Sequence, residues 1–392
     1  MTNFSLEIDE SFLRRAIRLA MNGRGRVEPN PMVGCVLVKN GRVIGEGYHA
    51  RYGGPHAEPT ALDSCTESPE GATAYVTLEP CCHTNKQTPP CAPRLIEAGI
   101  ARVVIGCLDP NPDVNGKGVA VLRAGGVRVD GPVLEGSAKQ LIAPFLAKVQ
   151  SSRPYVTLKW AETADRKVAG PGGTRLKISN RESSELVHRL RANSDAIVIG
   201  VRTLNADLPL LTARDVEFRR PLRRVVLDGA LNGDYTGLAQ SLDTGQVLVF
   251  TSHNAYGQYE PAGRFSLDSQ GIEVIPISMD PPENFLSLQA MLEELGRRGV
   301  IHALVEAGPT LARSFFEYER CDRLWVFRAA TQVNDVTSPL AADIPPDFTI
   351  TGEIDVAGDT LTEYLNPASP VFFAAEPSAD FVLAAEELKP SQ

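Results

Sequence analysis

The sequence predicts two consecutive α/β domains, and three observations carry that prediction. β-rich runs alternate with helix-period segments along most of the chain. Its 392 residues exceed what one ordinary core organises. The break Ser151-Ser152-Arg153-Pro154 follows a helical stretch and precedes a second series of strands. The expected domains are therefore residues 1–150 and 151–392.

In the first domain, "SFLRRAIRLAMNG" places apolar residues at Phe12, Ala16, Leu19 and Ala20 and stops at Gly23, which reads as an amphipathic helix. "GCVLVKNGRVIGEGY" reads as two strands joined at Asn40-Gly41, the strongest short hairpin signal. "ATAYVTL", "ARVVIGC" and "GVRVD" follow as buried strands, with helices expected around 57–64, 91–98 and 117–124. In the second domain the strands are "YVTLKWA", "DAIVIGV", "RRVVLD", "QVLVFTS", "HALVEAG" and "RLWVFRA", with helices around 181–192 and 309–317. The last 55 residues have weak periodicity and give no assignment.

Composition narrows the function. With 43% hydrophobic and 22% charged residues the chain is globular, and no apolar run reaches a membrane span. The acidic start "MTNFSLEIDE" lacks the basic-then-apolar pattern of a secretory signal, so a cytoplasmic location is expected. A net charge of −9 disfavours nucleic acid or an anionic membrane as partner, while a few local cations suffice for a small phosphorylated substrate. A homo-oligomer is expected. Six of the seven cysteines lie within the first 107 residues, a clustering that points to metal ligation.

A catalytic zinc takes three protein ligands and keeps one position open for water. His56 with Cys81 and Cys91 supplies such a set. Pro80 fixes the backbone before Cys81, "TPPC" stiffens the approach to Cys91, and a helix starting at Cys91 favours the thiolate. Cys82 and His83 compete for the second position, and a closed four-ligand structural zinc is the alternative. Glu58, two residues after His56, can reach the activated water without ligating the metal and carry its proton to a leaving amine. H-x-E followed by P-C-x-x-C marks zinc nucleobase deaminases, although nine residues rather than two separate Cys81 from Cys91 here.

"NPMVGCVLV", "GEGYHARYGGPHAE", "YVTLEPC", "TPPC" and "DPNPDVNGKG" together resemble the deaminase half of bifunctional riboflavin biosynthesis proteins. The resemblance implies a cytidine-deaminase-like three-layer fold and one Zn2+ per chain. The implied reaction deaminates 2,5-diamino-6-ribosylamino-4(3H)-pyrimidinone 5′-phosphate, with Asn30 and His49 lining the pyrimidine pocket. "RPYVTLKWAETADRKVA", "HRLRANSDAIVIGVRTLNADLPLLTAR", "RRVVLD" and "LVEAGPTLARSF" resemble the same family's reductase, which has a dihydrofolate-reductase-like α/β fold and uses NADPH. No G-x-G-x-x-G follows any strand, which fits a fold holding the cofactor differently.

Carried over by position, the resemblance assigns Arg191, Leu211, Arg214 and Glu306 to the substrate, the guanidiniums suiting a phosphate. It assigns Ala161, Thr203, Asp207 and Gly308 to the cofactor, and places Lys159 and Ser179 near the reacting ribose, Lys159 as a catalytic proton source. The chain departs from the pattern at Arg166 and Lys177, where Gly and Trp are usual, at Leu208 for a second Asp, and at "EAG" for "EGG". Lys177 in place of the aromatic would pair with cofactor phosphates. Three readings follow: a bifunctional deaminase and reductase, a deaminase with a non-catalytic C-terminal oligomerisation or binding module, and a deaminase of free or tRNA nucleobases. The acidic charge weighs against the last.

Overall fold

The computed structural model describes residues 3–82, 89–214, 216, 222–258, 267–281, 285–373 and 376–388. The fold divides into two compact units, Met1–Ser151 with Glu376–Ala379, and Ser152–Ala375 with Asp380–Gln392.

The first unit is a five-stranded sheet between helices. In chain order its elements are α1 (Asn3–Met21), β1 (Gly34–Lys39), β2 (Arg42–Tyr48), α2 (Ala57–Asp63), β3 (Thr73–Leu78), α3 (Cys91–Glu97), β4 (Arg102–Cys107), α4 (Lys117–Ala124), β5 (Arg128–Asp130), α5 (Glu135–Leu141) and α6 (Ala143–Ser151). The sheet order is β2-β1-β3-β4-β5. β1 pairs antiparallel with β2 and β3, and β3, β4 and β5 run parallel. Asn40 and Gly41 turn the hairpin with φ of 50° and 74°, the doubly positive geometry that Asn-Gly favours.

Alternation along β1 sorts its side chains between two layers. Val36 and Val38 pack with Leu13 and Ala16 of α1 on one face. Cys35 and Leu37 pack on the other with Ala57 and Ala61 of α2, Ala92 and Leu95 of α3, and Leu122 of α4. The small residues of α2 let it approach β2 so closely that a Cβ on Gly47 would lie 2.3 Å from the Ala61 nitrogen. That contact fixes where the start of α2 sits.

The second unit is a nine-stranded sheet. Its strands are β6 (Tyr155–Glu162), β7 (Ala196–Gly200), β8 (Arg223–Leu227), β9 (Val247–Ser252), β10 (Ile272–Ile277), β13 (His302–Glu306), β14 (Arg323–Arg328), β15 (Thr349–Val356) and β16 (Asp359–Leu365); β11 (Met279–Asp280) and β12 (Phe285–Leu286) form a separate ribbon. The order is β10-β9-β8-β7-β13-β6-β14-β16-β15. Pairings are parallel from β10 to β14 and antiparallel for β16 and β15. Helices α7 (Arg181–Ala192) and α8 (Val201–Asp207) flank β7, and helices Leu288–Arg297 and Pro309–Glu317 flank β13.

The central parallel strands are apolar throughout, as burial on both faces requires. Val156, Leu158, Val198, Val225 and Val305 pack with Leu292 and Phe315 on one side. Ile197, Ile199, Val226 and Val249 pack with Leu204 and Leu238 on the other. At the start of the sheet Arg153 makes a bidentate pair with buried Asp322, both contacts 2.7 Å, and Asp322 also accepts from the Val156 N–H.

The structure adds what periodicity did not reveal. α8 begins directly at the end of β7, and Asp207 is its last residue. The C-terminal stretch supplies β15, β16 and the helix Ala379–Glu387. Arg166 takes the left-handed conformation that the usual Gly would take, with φ of 61°, and its guanidinium reaches the Ala342 carbonyl and Asp343.

Candidate active sites

The first site lies where β3 and two helix starts meet. β3, paired parallel with β4, ends at Leu78 and leads to Cys81, Cys91 is the first residue of α3, and His56 precedes the first residue of α2. His56 Nδ1 lies 3.6 Å from Cys81 Sγ and 3.4 Å from Cys91 Sγ. All three donor atoms lie within 4.8 Å of one another. Sulfur at about 2.3 Å and nitrogen at about 2.0 Å from a tetrahedral zinc would sit about 3.5 Å apart, so the observed spacing fits that ion. Among the described residues the cluster takes in His56, Cys81 and Cys91 and not Cys82, which is half-buried; His83 lies outside the described residues.

Glu58, in the first turn of α2, is only 3% exposed. Burial raises its proton affinity, Cys81 raises it further, and His56 partly opposes both. Its Oε2 has no hydrogen-bond partner among the described residues. A buried carboxyl with one oxygen unengaged beside three metal-type donors is poised to hold a proton.

Glu58 lines a cleft of about 340 Å³ with Asn30, His49 and His56. The Pro55 carbonyl lies 2.9 Å from His49 Nδ1 and can only accept, so His49 Nδ1 carries the proton. Nε2 therefore accepts from the Asn30 amide, 3.3 Å away. Burial lowers the proton affinity of His49, in keeping with this neutral ring. Glu79 also lines the cleft, a residue the sequence reading passed over. Its buried carboxylate accepts from the backbone N–H groups of Asp109, Gly116 and Val119 and so holds the loop between β4 and α4. Its position between a buried strand and the Pro80-Cys81 junction was the available signal.

The second site gathers at the ends of β6, β13 and α7. Lys159 on β6 pairs in register with Glu306 on β13 and Trp325 on β14. Arg191 from α7 makes a bidentate contact with Glu306 at 2.6 and 2.8 Å, and its third nitrogen donates to the Thr212 carbonyl at 2.9 Å. Burial alone would push Glu306 up, but Arg191, with Lys159 and His188 behind it, holds its carboxyl down at about 2. Lys159 lies 5.6 Å over the Phe327 ring; burial lowers its proton affinity while Glu306 opposes that. Arg214 reaches the edge of this group through His188. The Leu211 side chain is buried in the core, leaving only its backbone to face a ligand.

A separate cleft of about 640 Å³ in the same unit is lined by Gly200, Thr203, Asp207 and Gly308. Gly308 precedes helix Pro309–Glu317 and no side chain caps that end, so its backbone N–H groups suit phosphate. Pro339 and Leu340, from the stretch after β14, line the cleft as well. Ala161 and Ser179 are half-buried and Lys177 is exposed, and none of the three lines it.

Comparison with known proteins finds relatives of both units. Residues 6–107 match the family model of the cytidine and deoxycytidylate deaminase zinc-binding region, and residues 154–333 that of the RibD C-terminal domain. The chain is 38% identical to the riboflavin biosynthesis protein RibD of Aquifex aeolicus over 82% of its own length and 87% of the relative's. It is 37% identical to that of Escherichia coli over 82% and 87%. Among solved structures it is similar to Acinetobacter baumannii RibD, with a TM-score of 0.78, 31% identity, and 92% and 99% of the two chains covered. It is also similar to a diaminohydroxyphosphoribosylaminopyrimidine deaminase/5-amino-6-(5-phosphoribosylamino)uracil reductase of Thermotoga maritima, with a TM-score of 0.77, 36% identity and the same coverage.

Proposed function

The chain belongs to the RibD family of bifunctional riboflavin biosynthesis enzymes, with a deaminase and a reductase domain, and from that premise we propose which residues carry each reaction. Residues 1–150 deaminate 2,5-diamino-6-ribosylamino-4(3H)-pyrimidinone 5′-phosphate to 5-amino-6-(5-phosphoribosylamino)uracil. Residues 151–392 then reduce the ribosyl chain to ribityl with NADPH. The observation that carries the first half is the convergence of His56, Cys81 and Cys91 beside the unengaged Glu58 oxygen. The match of residues 154–333 to the reductase family supports this reading over a deaminase with a passive second half.

His56, Cys81 and Cys91 hold one zinc, which when bound supplies Lewis-acid activation of water. Glu58 takes a proton from the attacking water and delivers it to the departing amine; ammonia leaves and a carbonyl remains. The raised proton affinity of Glu58 suits it to hold that proton between the two transfers. Asn30 is held by His49, which leaves its amide oxygen to accept from the pyrimidine.

In the second domain Thr203, Asp207 and the turn at Gly308 hold NADPH, which when bound supplies a hydride to C1′ of the opened ribose. Lys159 supplies the proton that completes the reduction, and the Glu306 charge favours its protonated form. Arg191 and Arg214 neutralise the substrate phosphate. The enzyme works in the cytoplasm as a homo-oligomer on small phosphorylated pyrimidines, without nucleic acid or membrane. The net charge of −9 weighs against nucleic acid and anionic membranes as partners, and among the described residues no helix is long and apolar enough to cross a membrane.

Glu58→Gln tests the assignment. Zinc content should stay at one per chain while deamination falls by about 10² to 10⁴. NADPH oxidation should persist when deaminated substrate is supplied. Loss of zinc from this variant would make the carboxylate a ligand and overturn the role given to it.

A further inference from the structure

His188 sits on α7 three residues before Arg191, so the two side chains share a helix face. Its Nδ1 lies 3.2 Å from the Arg214 backbone nitrogen and its Nε2 lies 3.3 Å from the Arg214 guanidinium. Both Arg214 groups are donors only, and a neutral imidazole has a single lone pair to offer them. Whichever ring nitrogen carries the proton, one pair of N–H donors faces each other without an acceptor. A protonated ring leaves two such pairs. The Thr212 carbonyl accepts from His188 but also from Arg191, so the N–H donors of this cluster outnumber its acceptors. Arg191 is engaged by Glu306 and the Thr212 carbonyl.

We propose that His188 is a third anion-binding residue of the reductase site, seating the substrate phosphate between its Nε2 and the Arg214 guanidinium. The proposal rests on the reductase reading above. A phosphate oxygen accepts from both donors at once and turns the mismatch into two charge-assisted hydrogen bonds. The groups facing the ring are Arg191 on its own helix, Arg214 and the Thr212 carbonyl on the loop after α8, and Glu306 at the end of β13. Burial, Arg191 and Arg214 lower the ring's proton affinity, and the Thr212 carbonyl and Glu306 only partly oppose them. A bound dianion reverses that balance, so phosphate binding takes up a proton at His188 and weakens as pH rises. The site therefore discriminates for a phosphorylated over an unphosphorylated ribosylaminopyrimidine.

The test uses the full-length zinc enzyme with NADPH and deaminated substrate from about pH 6 to about pH 8, where histidine titrates. His188→Ala should raise KM roughly tenfold near pH 6, the loss expected for a hydrogen bond to a charged group, with kcat within about twofold. It should also flatten the rise of KM with pH to what the substrate phosphate contributes, its own second ionisation lying near pH 6. His188→Gln, which hydrogen-bonds without titrating, should recover part of KM and none of the pH dependence. A wild-type unfolding midpoint by fluorescence of Trp160 and Trp325, both in the same unit as His188, checks folding of each variant. A second readout needs no turnover: inorganic phosphate added to the wild-type enzyme should raise the His188 pKa in an imidazole NMR titration. A wild-type KM in His188→Ala near pH 6, or a His188 pKa unmoved by saturating inorganic phosphate, overturns the proposal. A wild-type enzyme that fails to oxidise NADPH overturns the reductase reading instead, and the NMR titration still decides the anion site.

Discussion

Glu306→Gln removes one negative charge from a site holding two cations, and the structure sets the size of the effect. The side chains of Arg191 and Glu306 are 14% and 17% exposed, so their pairing is not screened as a surface bridge would be. Glu306 is held at about 2 against an ordinary 4.5. At about 1.4 kcal/mol per tenfold change in proton affinity, that corresponds to roughly 3 kcal/mol of stability at neutral pH. Breaking a buried pair by removing one partner typically costs about 3–5 kcal/mol, which agrees. Because the folded pKa is depressed, this stability is complete above the unfolded value and is lost as pH falls from about 5 toward about 2. Both tryptophans of the chain, Trp160 and Trp325, lie in the reductase unit, so their fluorescence reports its unfolding alone. Denaturant titrations should show Glu306→Gln less stable than wild type by about 3 kcal/mol at pH 7, the gap narrowing by about 1 kcal/mol at pH 4. NADPH oxidation should fall at least tenfold, since Lys159 loses the carboxylate opposite it. Equal midpoints at pH 7, or a gap that does not narrow on acidification, would refute the reasoning.

Two further outcomes follow from the geometry. Cys81→Ser should lose zinc and Cys82→Ser should keep it, because only Cys81 joins the cluster with His56 and Cys91 among the described residues; metal analysis showing the reverse would exchange the two. Asp207→Ala should cut NADPH oxidation at least tenfold and leave deamination unchanged. It should not lower thermal stability, because a carboxylate at the C-terminal end of α8 opposes the helix dipole; a loss of about 1 kcal/mol with the rate intact would make Asp207 a capping residue.

The deaminase site was legible because its parts are short in sequence and strict in chemistry. H-x-E, the Pro80-Cys81 junction and a helix start at Cys91 each announce a donor, and a parallel sheet brings such loops to one edge. The central strands were legible for a related reason: burial on both faces makes them continuous apolar runs. β15 and β16 were not, since β15 is an edge strand whose half-exposed residues follow no clean alternation. α8 was hidden by its direct junction with β7, where "VIGVRTL" carries no loop signal between strand and helix. The Arg191–Glu306 pair joins residues 115 apart in sequence, and nothing local marks either as the other's partner. Arg191 alone reads as a phosphate ligand; only the structure shows that Glu306 and the Thr212 carbonyl also hold its guanidinium in place. Ala161 and Lys177 stand in the family's order along the chain but are not among the residues lining the cleft of about 640 Å³, because order fixes the element and not the direction of the side chain.

The central claim is that one chain performs both reactions in sequence. Its most direct test is a single reaction with zinc-loaded wild-type protein, 2,5-diamino-6-ribosylamino-4(3H)-pyrimidinone 5′-phosphate and NADPH, following ammonia release and NADPH loss together. The account predicts ammonia release first, then NADPH consumption after a lag, reaching one NADPH per ammonia released. Ammonia release with no NADPH consumed, and none on addition of the deaminated substrate, would contradict it.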